Sequence, residues 1–109
     1  GEERYGEAIV LLTRALRQTS DPQLRVPLLC NRAHALIKRA ARGDDLAAEK
    51  DAIEAAYLIP SNPKTHYRRI QALRATRRPF AAFRLARACK KKFPGVPDFT
   101  RVMREIARD

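Results

Sequence analysis

Four pairs of residues recur at one interval. Ala48 and Ala82, Ala52 and Ala86, Ala55 and Cys89, and Pro60 and Pro94 each stand 34 residues apart. Small side chains at three- and four-residue steps mark the face of a helix that a neighbour approaches closely, and a proline beyond them stops the helix. A period of this length is the sign of stacked helical units, so the chain is expected to be a row of helical hairpins. Ala8 and Ala15 carry the pattern back by forty residues from Ala48 and Ala55. On the intervening helices Asn31 corresponds to Arg68, Ala33 to Ile70 and Leu36 to Leu73.

Helical periodicity runs through the whole chain, and no stretch alternates as a strand would. Tyr5, Ile9, Leu12 and Leu16 predict a first helix over about 2–18, with an apolar face left partly uncovered. Thr19 to Pro22 break it, and Leu28, Leu29, Ala33, Leu36 and Ile37 predict a second over about 24–41, with Pro27 in its first turns. Gly43 should end that helix and Asp44 or Asp45 cap a third, about 45–58. The turn Pro60-Ser61-Asn62-Pro63 leads into a fourth at about 63–77, Pro79 opens a fifth to 92, and Pro97 a sixth. The fold class is all-α: an α-solenoid made of a half repeat (1–18), a repeat (24–59), a second repeat (63–94) and a cap helix (97–108). Ile70 stands where a small residue would pack more tightly, which predicts a more open second hairpin.

The formal charge of +11 is confined to one part of this row. Residues 1–54 hold nine basic and nine acidic side chains, and residues 98–109 three of each, while 55–97 contain eleven cations and neither Asp nor Glu. A positive surface for an anionic partner explains such localisation better than a diffuse solubility charge.

These residues resemble the tetratricopeptide repeat, a 34-residue helical hairpin with small residues at fixed sites and a closing proline. On that resemblance the first helix of the leading repeat has no counterpart, so the sequence is expected to be a piece of a longer protein. A narrower resemblance rests on Asn31-Arg-Ala, Lys38-Arg39 and Gly43-Asp44 with a turn three residues longer than usual, and on Lys64-Thr-His-Tyr-Arg68 and Lys92-Phe-Pro94. These are similar to the repeat module of the adipose-type WD and tetratricopeptide repeat proteins. The resemblance implies a parent protein that carries a WD40 propeller and serves as substrate receptor of a cullin-RING ubiquitin ligase, in the cytoplasm, the nucleus or both. No propeller sequence is present.

First helices of stacked hairpins line a concave side, where extended peptides bind. Asn31, His34 and Lys38 share a face of one such helix, and Lys64, Arg68 and Gln71 a face of the next, with Tyr67 and Arg74 beside them. Arginine offers a fork of donors, lysine a mobile charge and asparagine a neutral donor, a set suited to an acidic peptide and its carboxylates. Asn31, Lys64 and Arg68 also match three positions of the carboxylate clamp by which co-chaperones hold the acidic tails of heat-shock chaperones, which makes such a tail a second expected partner. A helix-to-helix hydrogen bond is the competing role for Asn31, and plain solvated surface for Lys64 and Arg68.

Arg84, Arg87, Lys90, Lys91 and Lys92 should face outward and form a second anionic patch, to which nucleic acid is the competing partner. Phe80, Phe83 and Phe93 are expected to pack, which leaves Tyr67 as the exposed aromatic and makes nucleic acid the weaker expectation. His34 and His66 lack acids at helical spacing, and no Gly-rich phosphate loop, Cys-His cluster or nucleophile elbow is present, so neither an enzyme, a cofactor nor a metal is expected. Cys30 and Cys89 fall in apolar helical patterns and should be buried thiols. No apolar run approaches the ~18 residues of a membrane span, and no signal peptide pattern opens the chain.

Overall fold

Turn chemistry sets where the helices begin. A computed structural model describes residues 2–109, which form α1 (Glu2–Arg17), α2 (Pro22–Arg39), α3 (Asp44–Leu58), α4 (Pro63–Ala75), α5 (Pro79–Lys92) and α6 (Pro97–Arg108). Four of these open on proline, whose missing N–H is harmless in a first turn. Asp21 caps α2 by accepting from the Gln23 N–H at 2.9 Å, and Asn62 caps α4 by accepting from the Lys64 N–H at 3.0 Å.

Several expected boundaries shift for local reasons. The Asp21 cap starts α2 at residue 22 rather than 24, which places Pro27 in the second turn on an exposed side. Ala40 adopts a left-handed φ of 55° and ends the helix before Gly43 is reached. Gly43, at φ 85°, instead precedes α3, where no side chain caps the helix. Asp44 lies in the first turn, and its buried carboxylate accepts from the Ala41 N–H and the Arg39 guanidinium. At the end of α4 the Thr76 hydroxyl donates to the Ala72 carbonyl and Arg77 turns left-handed, so the helix stops at Ala75 rather than 77.

Each helix packs on the next in chain order, and α2 also packs on α4. The result is an all-α, solenoid-like stack in two layers, α2, α4 and α6 in one and α1, α3 and α5 in the other, with extents of 36 × 29 × 18 Å. The repeated small residues form its seam: Ala48, Ala52, Ala55, Ala82 and Ala86 are fully buried and Cys89 nearly so. Around them lie three clusters, Leu16 with Val26, Leu29, Cys30 and Ala55; Ala33 with Leu36, Ala48 and Ala72; and Ile70 with Leu73, Ala82, Ala86, Cys89, Phe99 and Val102. Phe99 closes the last, stacked at 6.0 Å on Phe93, and its complete burial contributes about 2 kcal/mol. Both cysteines are free and buried. The second hairpin, α4 with α5, has the sparser interface of the two.

Three ion pairs brace the first hairpin. Arg25 reaches Glu54, Arg32 reaches Asp51 through two bonds of 2.7 Å, and Arg39 reaches Asp44. Arg25 also donates to the carbonyls of Leu16 and Thr19, tying the end of α1 to the same hairpin. On α1 the exposed apolar side chains are Val10 and Leu11, while the predicted stripe of Tyr5, Ile9, Leu12 and Leu16 turns inward. Among the described residues no helix is long and apolar enough to cross a membrane.

Candidate functional site

The layer of α2, α4 and α6 is grooved, and its cations come from two neighbouring helices. The first groove, of about 650 Å³, runs from His34 and Lys38 on α2 across Gln71 and Arg74 on α4 to Ile106 and Asp109 at the end of the chain. The second, of about 330 Å³, lies at the other end of α4 between Lys64, Tyr67 and Arg68 on one wall and Val96 and Asp98 on the other. Asn31 lines neither groove. It is exposed and makes no side-chain hydrogen bond among the described residues, so it does not bridge helices.

The charges of the two helices meet at His34. Burial, followed by the positive charges of Arg68, Lys38 and Lys64, holds its imidazole below the ordinary value. Burial raises the Cys30 thiol above its ordinary value, and the nearby charges of Arg68 and Lys64 oppose that rise without cancelling it. Arg68 donates through Nη1 to the Gln71 amide oxygen at 2.8 Å, while its Nε is sealed from solvent with no partner. Neither Lys38, Lys64 nor Arg68 forms an ion pair among the described residues.

Two of the expected ligands are engaged elsewhere. Arg74 donates to Glu105 at 3.2 Å and Asp109 at 2.7 Å, so its charge is neutralised by α6 and the residue after it. Tyr67 is half-buried and meets Phe99 edge-on at 6.4 Å, with Arg101 beside its hydroxyl. It is therefore not the exposed aromatic of the chain. That description fits Tyr57 on α3 and Phe80 on α5, each 84% exposed, and Phe80 departs from the expectation that it packs. Position explains the difference, because Phe80 lies in the first turn of α5, on the side away from Ala82 and Ala86.

The acids at the end of the chain are not legible as site residues, because a neutral tail carries no local signal; only the fold brings Glu105 of α6 and Asp109 after it to Arg74. Asp98, across the second groove from Lys64, pairs with Arg101 at 3.4 Å. On the opposite layer Arg84, Arg87, Lys90, Lys91 and Lys92 are all exposed, as their spacing requires. Lys92 lies 5.5 Å from the centroid of the Phe93 ring. His66 interacts through Nε2 with the Pro60 carbonyl at 2.7 Å, in a structural contact away from the grooves. Among the described residues no group of three or more His, Cys, Asp or Glu is placed to hold a metal ion.

The fold and this face define an all-α, solenoid-like repeat stack with a cationic, unneutralised seam between α2 and α4. No protein-family model matches the chain, and no curated protein matches its sequence.

Proposed function

We propose that the chain is a tetratricopeptide-type interaction module that binds an acidic peptide along the seam of α2 and α4. The observation that carries this reading is the row of cations along the two grooves, Lys38 beside His34 in the first and Lys64 with Arg68 in the second, none of the three forming an ion pair among the described residues. Like charges brought together on two helices repel one another, and the protein gains nothing from the arrangement unless an anion completes it. Asn31, free of helix-to-helix bonds, is available to the peptide backbone, and Gln71 holds Arg68 in place by accepting from Nη1. Arg74 serves instead to fasten α6, and Tyr67 to pack under it.

The chain acts by binding and has no catalytic part in this reading. Within a parent protein of the WD and tetratricopeptide repeat type, the module would present substrates or partners with acidic segments to a cullin-RING ubiquitin ligase. Calorimetry with a short acidic peptide bearing a free α-carboxylate, and with its amidated counterpart, tests the site. Lys64→Ala with Arg68→Ala is expected to remove most of the affinity; unchanged affinity would eliminate the seam as the site.

A further inference from the structure

The second hairpin has an arginine whose partners are missing. Arg32 on α2 donates to Asp51 on α3 and to Thr13 on α1, so its guanidinium bridges the two helices flanking α2. The residue in the same place on α4 is Arg69, as Asn31 with Arg68 and Ala33 with Ile70 fix the register. The alanine register places Leu85 at the position of Asp51 and Ile53 at that of Thr13. Both polar partners are thus replaced by aliphatic side chains. Arg69 accordingly makes no hydrogen bond or ion pair among the described residues, and its Nε is sealed from solvent and unsatisfied. Its charge acts on Cys89, which places it against α5, as Arg32 lies against α3.

The remaining acids of the first hairpin are replaced as well. Ala88 stands where Glu54 does, and Arg78 where Asp44 does. Arg84 occupies the place of Lys50, so one more cation joins Arg69 along the α3–α5 seam. Beside them the stripe facing solvent reads Leu46, Ile53 and Tyr57 on α3, at 63, 45 and 84% exposure, against Phe80, Arg87 and Lys91 at the equivalent positions of α5. Apolar side chains on one helix and unpaired cations on the next make a surface that is amphipathic across the seam.

We infer that this outer face is a second docking surface, for a partner segment that carries apolar side chains and carboxylates on the same side. One carboxylate approaches the Arg69 guanidinium from outside, doing for the second hairpin what Asp51 does within the first, while others face Arg84, Arg87 and Lys91. The first hairpin is the argument for a carboxylate: in the same fold, at the same positions, this chain itself places Asp51 and Glu54 against the cations. An unsatisfied buried arginine nitrogen and exposed Ile53 and Tyr57 are both relieved by such a partner. The surface is distinct from the α2–α4 seam, and either can exist without the other.

The test uses an amphipathic peptide of glutamates and leucines with blocked ends, titrated into the isotope-labelled chain, and single-stranded oligothymidine as comparison. Peptide binding is expected to shift the amides of Ile53, Tyr57, Leu85 and Ala88 and to survive Lys64→Ala with Arg68→Ala. Arg69→Met and Arg84→Glu with Arg87→Glu should each weaken it about tenfold, as loss of desolvated charge contacts does. Leu85→Asp, which restores the missing partner inside the chain, should abolish it. Because Leu85 also packs in the core, Ala88→Glu at an exposed position serves as a second variant and should weaken binding with the fold intact. Shifts confined to α2 and α4, or affinity indifferent to Arg69→Met and Ala88→Glu, overturn the inference. Tighter binding of oligothymidine than of the peptide at this face assigns it to nucleic acid and overturns it equally.

Discussion

The two hairpins share a backbone plan and differ in what holds their helices together. In α2 and α3, Arg25, Arg32 and Arg39 recur every seven residues and each meets an acid of the opposite helix, Glu54, Asp51 and Asp44. In the second hairpin the same places in the register hold Asn62, Arg69 and Thr76, with Ala88, Leu85 and Arg78 where the acids stand. None of the three pairs survives. Asn62 has become a helix cap, Thr76 bonds back into its own helix and accepts from Arg78, and Arg69 is left alone. The buried seam of alanines is common to both, so it is the seam that specifies the hairpin. Ion pairs across it are one of two ways to use the flanking positions. The first hairpin closes its three arginines on its own acids, whereas in the second Arg74 pairs with Glu105 and Asp109, Arg78 with Glu49 of α3, and Arg69 with no residue among those described.

The largest expected effect breaks the first arrangement. The Asp51 side chain is 6% exposed and Arg32 23%, so Asp51→Ala leaves a half-buried guanidinium without its partner. The cost should be about 2 to 3 kcal/mol, below the range for fully buried pairs because Arg32 retains some contact with water. Urea denaturation followed by circular dichroism measures it. A loss no greater than that of Asp98→Ala, whose pair with Arg101 is exposed, would show that the first hairpin is not braced by its ion pairs.

Next in size is the effect on the grooved face. Lys64→Ala with Arg68→Ala should lower affinity for an acidic peptide by about tenfold or more, near 1.4 kcal/mol. Arg74→Ala should leave affinity nearly unchanged and reduce stability instead, since its guanidinium is held by Glu105 and Asp109. If Arg74→Ala abolished binding while the double variant did not, the peptide would occupy the groove under α6 and the seam assignment would be wrong.

What was legible in the sequence follows the range of each interaction. The helices, their order and the buried faces of Ala48, Ala52, Ala82 and Ala86 could be read because helix packing repeats locally, every three or four residues and again every 34. The acid-free stretch of 55–97 was legible as composition. The pairing of Arg74 with Asp109 was not, because 35 residues separate them and nothing but the fold of α6 brings them together. Cap geometry was only partly legible. Asp21 outranks Leu24 as a start signal once its bond to Gln23 is seen, whereas Ala40 in a left-handed conformation has no sequence signature. Phe80 is exposed because it stands where Leu46 does on α3, on the stripe turned away from the alanine seam, and an aromatic residue by itself does not signal which side of a helix is covered.

A smaller effect, with opposite signs in the two hairpins, sharpens the comparison most directly. Methionine keeps much of the apolar stem of arginine and removes the charge. At Arg32 it strands Asp51, and stability should fall. At Arg69 it removes a sealed, unsatisfied nitrogen, and stability should rise by about 0.5 to 1 kcal/mol. Thermal melts of the two variants, read side by side, check this. Equal losses at both positions would mean that Arg69 is satisfied in solution by water and that the hairpins differ less than their ion pairs suggest.

The smallest expected effect reports on the seam without altering it. In the free protein burial and the charges of Arg68, Lys38 and Lys64 lower the pKa of His34, so the folded state holds its proton less readily than the unfolded chain. The stability tied to this group is therefore present above its unfolded value of about 6.5 and is lost as pH falls through that value toward the lower folded one. A peptide carboxylate bound between Lys64 and Arg68 offsets their repulsion of the imidazolium, and the His34 pKa should move upward. By linkage, affinity should then increase as pH falls from the raised value of the bound state toward the lower one of the free protein, until the peptide carboxylates themselves begin to protonate near about 4. Imidazole resonances followed by NMR, with and without peptide, separate His34 from His66, which interacts with the Pro60 carbonyl away from the grooves. A His34 curve that does not move when peptide binds would place the bound carboxylate away from Arg68 and Lys64, and with it the function of the unneutralised hairpin.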